Sequence, residues 1–264
     1  MVAWMDRKST PPDAGAVMAR LIIFKSILMK TVRTPPPEEV AQLKKRCTTH
    51  EWKQYLDELR EENEEQIKVL KQDGMWKEMT KEERNFMKAR ALEITPQAYA
   101  IASWLAESAA CLLWALGYVS EMPAYDEEVG SEAMDKFPAE SASVLIKKAR
   151  LRSPEEIEKQ RGIAERWHWR SLIRIQQESE PSFTFPDCTM DELLQTISAK
   201  AAMDGEIPTP VEGDFPAFGK AYRDLTVEEF SVAASIATER HRAFDWLCGF
   251  APKQSQKQTR EKGA

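Results

Sequence analysis

The chain has 264 residues, enough for one core to enclose roughly three-quarters of the surface an unfolded chain exposes, and its 37 Lys and Arg against 43 Asp and Glu leave a formal net charge of −6. That balance excludes nucleic acid as the default partner, because a phosphate lattice has to be met by clustered Lys and Arg. Four widely spaced cysteines, Cys47, Cys111, Cys188 and Cys248, do not form the disulfide framework of a small secreted domain, so the expected compartment is the reducing cytoplasm.

Residues 1–13 contain Ser9-Thr-Pro-Pro12 and no apolar period, and 251–264 is a polar tail with Lys253, Lys257, Arg260 and Lys262. Both segments are expected to be disordered, flanking a single helical domain over 14–250. The apolar stretch Leu21 to Met29 is interrupted by Lys25 and lacks the flanks of a signal peptide. Helical period predicts helices near 14–31, 38–47, 50–72, 81–91, 96–116, 139–149, 154–177, 190–203 and 227–247. Four of the starts carry a capping box, in which a Ser or Thr caps an amide and a Glu three residues on caps back: Thr80 with Glu83, Ser153 with Glu156, Thr189 with Glu192 and Thr226 with Glu229. Pro96 and Pro154 stand at first helical positions, and Gly117, Gly205 and Gly249 follow apolar runs as stops. No stretch alternates β-branched and polar residues as a sheet requires. The expected fold class is therefore all-α, a single-domain multi-helix bundle around a buried apolar central helix at about 96–116.

That central segment has the length of a membrane span and one charge, Glu107. A carboxylate at mid-membrane costs on the order of 3 kcal/mol, so a buried helix is expected and no membrane partner. The run Arg60 to Gln66 reads as a solvated helix face. The stretch 207–223, with Pro208, Pro210, Gly213, Pro216 and Gly219, reads as a long loop whose Phe215, Phe218 and Tyr222 pin it to the core or bind a partner.

The last helix is the most informative. Glu228, Ser231, Ser235, Thr238, Arg242 and Asp245 form its polar face at helical spacing, which turns the consecutive Glu239, Arg240 and His241 inward. A buried charge without a counter-charge costs several kcal/mol, and Glu107, between Ser103 and Cys111 on the apolar helix, is the partner left for Arg240 by elimination. Trp246, like Trp114, is expected in the core. His168, within Trp167-His-Trp169, neighbours Ala164, Leu172 and Ile175 but also Glu165 and Ser171, which makes it half-buried, either a packing residue or a general base. Glu107, His168, Glu239, Arg240 and His241 are thus the candidate site, as a buried network or as a pocket. Cys47 and His50 have the spacing of two metal ligands, but a zinc site needs at least one more, and no metal is expected. The chain has no Gly-rich phosphate loop, nucleophile elbow or paired zinc-type histidines, and no cofactor is expected.

Glu107, Leu112-Leu-Trp-Ala-Leu-Gly117, Glu121-Met-Pro123, Leu151-Arg-Ser-Pro-Glu-Glu-Ile157, Arg166-Trp-His-Trp169 and Glu239-Arg-His-Arg-Ala-Phe-Asp-Trp-Leu-Cys-Gly249 occur in that order. The series resembles an uncharacterised bacterial family, domain of unknown function number 4272, over roughly Pro36 to Gly249. The chain departs from the family pattern after Gly249, where Ala251-Pro-Lys-Gln replaces an aromatic and acidic segment. The resemblance implies a bacterial, cytoplasmic helical domain and assigns no catalytic residue. Two functions are expected to compete. One is a non-catalytic protein-interaction or regulatory module, for example an immunity-like protein. The other is a small-ligand binder or enzyme built on the five buried polar residues, which would have to converge on a cavity.

Overall fold

The computed structural model describes residues 10–130, 135–179 and 188–250. The expected disorder of 251–264, and of all but 10–13 at the start, falls outside the described residues. Among these residues the fold is all-α. Its helices are α1 (Ala14–Arg33), α2 (Val40–Arg46), α3 (Thr49–Gln72), α4 (Met75–Glu78), α5 (Lys81–Lys88), α6 (Pro96–Ala115), α7 (Ala142–Lys148), α8 (Pro154–Ser179), α9 (Met190–Met203) and α10 (Val227–Leu247).

Starts and stops follow local chemistry. All four capping boxes close, Ser153 and Glu156 among them, and a fifth joins Thr48 to Glu51 at the start of α3. α6 ends in a Schellman turn: Gly117 takes φ of +77°, and the amides of Gly117 and Tyr118 bond the carbonyls of Trp114 and Leu113 at 2.9 Å each. The helix expected over 81–91 stops at Lys88 and is followed by a 3-10 turn, Ala91–Glu93.

The helices pack in the order α8, α10, α6, α1, with α7 on α1. Between them lies the main core, with Met18, Leu21, Leu112, Leu113, Ala164, Trp167, Ile236 and Phe244. A smaller cluster, Ile23, Ile27, Leu70, Met75, Met79, Met87 and Ala102, seats α3 to α5 on the other side of α1. There Lys30 is buried and donates to the carbonyls of Phe86, Met87 and Ala89 at 2.7, 2.8 and 2.7 Å, closing the end of α5. Burial without a carboxylate partner pushes its ammonium down to about 8.

Three expectations need correction. The central helix is only half enclosed: α6 is buried from Glu107 to Ala115, while Ile101, in its first half, is 62% exposed. α6 is the one helix among the described residues long and apolar enough to cross a membrane, and 56% of that window is buried. The loop over 207–223 contains a hairpin, β1 (Pro216–Ala217) against β2 (Lys220–Ala221), which is too short for alternation to reveal. Its turn places Phe218 at φ +52° and Gly219 at +72°. Trp114 is in the core, but Trp246 is half-buried, because it lies on the flank of α10 and packs at the core's margin.

Candidate functional site

Where α6 crosses α10, the two helices bring Glu107 and Arg240 together. Arg240 Nε donates to Glu107 Oε2 at 2.8 Å, and the side chains are 0% and 2% exposed respectively. The other groups of this pair hold a loop. Glu107 Oε1 accepts from the amide of Val129 at 2.7 Å. Arg240 Nη1 donates to the carbonyls of Pro123 at 2.6 Å and Ala124 at 3.1 Å, and Nη2 to that of Glu127 at 3.2 Å. A segment with no regular structure of its own is thereby fixed from inside by one carboxylate and one guanidinium.

The loop is held from outside as well. Tyr125 stacks on Trp167 of α8 at 4.9 Å and 5°, and the Arg240 guanidinium lies 4.8 Å from the centroid of the Tyr125 ring. Asp126 Oδ2 accepts from the amide of Phe218 at 2.6 Å, which ties the loop to the left-handed turn of the β1–β2 hairpin. Between this loop, α8 and the hairpin lies a cleft of about 640 Å³, lined among others by Trp114, Tyr125, Asp126, Lys159, Trp167 and Pro216. A second cleft of about 640 Å³ lies between α3 and the turn after α5, beside Lys30 and Asn63.

The remaining candidates sit elsewhere on α10. Glu239 turns to Ser108 on α6 (3.3 Å) and to Arg242 (2.6 Å), and burial raises its carboxyl. His241 faces α8, where its ring stacks on that of His168 at 4.8 Å and 14°. Thr238 Oγ1 is 3.3 Å from His168 Nδ1, and Asp245 Oδ2 is 3.4 Å from His241 Nε2. Burial lowers both imidazoles from their ordinary value of 6.5 and raises Asp245. The five candidates therefore divide between two seams, Glu107, Glu239 and Arg240 at α6–α10 and His168 and His241 at α8–α10. None of them lines either cleft.

Residues around the loop 207–223 complete the arrangement. Arg170 of α8 and Asp214 of the loop form a second sealed ion pair, both 0% exposed, with Nε and Nη2 each 2.6 Å from a carboxylate oxygen. Asp214 also accepts from the amides of Phe215 and Arg223. Phe215 is edge-on to Trp167 and Tyr222 bonds Ser171 at 2.7 Å, so these two aromatics pin the loop to the core. Cys111, beside the Glu107–Arg240 pair, has its thiol pushed far up by burial and stays protonated. Cys47 and His50 are exposed, and among the described residues no three His, Cys, Asp or Glu side chains stand together as a metal site.

The family model described as Domain of unknown function (DUF4272) matches residues 28–183, from within α1 past the end of α8. That span starts before Pro36 and contains Glu107 and His168, while α9 and α10 lie beyond it. No curated protein and no solved structure matched the chain. With more than half of its length under the family model, the chain belongs to the DUF4272 family.

Proposed function

We propose that this chain is a non-catalytic protein-interaction module of the cytoplasm, regulatory or immunity-like, which meets its partner through the cleft beside the loop 118–130. The observation that carries this reading is the saturation of the buried Glu107–Arg240 pair and of its neighbour Glu239. Both oxygens of Glu107 and three nitrogens of Arg240 are spent within the fold, and Glu239 is spent on Ser108 and Arg242. A general acid or base needs an atom turned toward a reactant, and Glu107 and Arg240 turn theirs toward the backbone that shapes the cleft. The acidic net charge agrees with a neutral or basic partner surface.

The cleft itself favours a second reading, a small-ligand site, since its volume lies in the range of about 300–1,000 Å³ common for ligand pockets. Site-specific photo-cross-linking in the host cells separates the two. A cross-linking residue at Lys159 or Gln160, on the cleft wall, should give one discrete protein adduct that the same residue at Glu61, on the exposed face of α3, does not. No adduct from the cleft, or equal adducts from both faces, contradicts the interaction module.

A further inference from the structure

The histidine seam is joined to the cleft loop's supports along α8 and α10. His168 follows Trp167, the ring on which the cleft loop stacks, and His241 follows Arg240, the side chain that holds the loop's carbonyls. One spacing, that between α8 and α10, therefore sets both the imidazole stack and the two supports of the loop. We propose that the stacked rings of His168 and His241 are a pH-sensitive latch, which closes this seam while both are neutral and loosens the loop 123–129 when both are protonated. The latch rests on the reading of the cleft as the interaction surface and adds its regulation.

The surroundings of the pair decide its behaviour. From α10 the rings meet Thr238, Arg242 and Asp245, and from α8 Arg161 and Glu165. Two cations thus face two anions around neutral rings, and Asp245 is already 3.5 Å from Arg161. A first proton on the pair has Asp245 at 3.4 Å and Glu165 to offset it. A second would place like charges on rings whose centroids are 4.8 Å apart. At an effective dielectric constant of about 20 that repulsion disfavours the second proton by roughly a hundredfold or more. The rings escape it by separating, and separation moves α8 and α10, which carry Trp167 and Arg240.

Titration of the full-length chain by nuclear magnetic resonance tests this. The imidazole nitrogens of His168 and His241 are followed as the pH falls. The two rings should titrate as a coupled pair in two separate steps. The indole signals of Trp114 and Trp167 should shift with the second step. In the variant His241→Asn the remaining ring should titrate in one step, and the indole response should shrink about tenfold. Independent single steps in the unaltered chain, or indole signals that ignore the histidine steps, overturn the latch, and neither result requires the variant to fold. Because the readout needs no partner, an absence of cross-links at neutral pH counts against the interaction module alone, whereas uncoupled titration counts against the latch alone.

Discussion

α10 carries two polar interiors one residue apart, and they behave differently because water reaches only one of them. Arg240 is sealed, with a carboxylate at 2.8 Å and three carbonyls on its guanidinium. His241 is 22% exposed at the side chain and stacks on another half-buried ring. In the sealed region a charge is fixed in state and serves as framework, since losing its partner leaves an ion where no solvent can reach it. In the half-open region the protonation state itself can change. The contrast assigns structure to Glu107–Arg240 and sensitivity to His168–His241.

The sealed side should give the largest effects. Glu107→Gln or Arg240→Met alone should destabilise by about 3–5 kcal/mol in denaturant melts, because each leaves one partner of a buried ion pair alone. A comparable loss should follow Asp214→Asn, since Arg170 has no exposure to water either. A value below about 1 kcal/mol for any of the three would mean that the site admits solvent.

Next come the aromatic residues near the ends of the two helices. Trp114→Ala should cost about 3–5 kcal/mol as a core truncation, whereas Trp246→Ala, at the margin, should cost about 1–2 kcal/mol. Equal losses would show that the two positions are buried alike.

The smallest effect belongs to the half-open side. His168 and His241 have lowered values in the fold, so the folded chain binds fewer protons than the unfolded chain just below 6.5. Stability from these groups is full above pH 6.5 and is lost as the pH falls through 6.5 toward the folded-state values. The raised carboxyls of Glu239 and Asp245 act in the opposite sense, regaining stability as the pH falls toward their own range. Urea melts of His241→Asn should accordingly show a shallower decline just below pH 6.5 than the unaltered chain, and an identical decline would remove the pair from the account.

Much of the fold was legible in the sequence for local reasons. Capping boxes, helix-starting prolines and terminating glycines act within four residues, so α8, α9 and α10 could be bounded within two residues of their observed ends. Glu107 stood out because it interrupts an apolar helix, and Arg240 because it leaves the polar face of its own. Asp214 and Asp126 gave no such signal: each lies in a loop with no period against which a misplaced charge shows, and their partners, Arg170 and the amide of Phe218, are 44 and 92 residues away. Lys30 escaped notice for another reason, since a lysine near the end of an amphipathic helix normally reaches water, and here three carbonyls at the end of α5 and just past it meet it instead. The cleft could not be read at all, because it forms where a loop, a helix and a hairpin meet, and only their three-dimensional arrangement defines it.

The central claim, that the buried charges form framework and not a reactive centre, is tested most directly by a double-mutant cycle on Glu107 and Arg240. The account predicts that Glu107→Gln with Arg240→Met is more stable than the sum of the single losses implies, by a coupling of about 2–3 kcal/mol, because no orphan ion remains. Strictly additive losses would contradict it and require each residue to answer to some other partner.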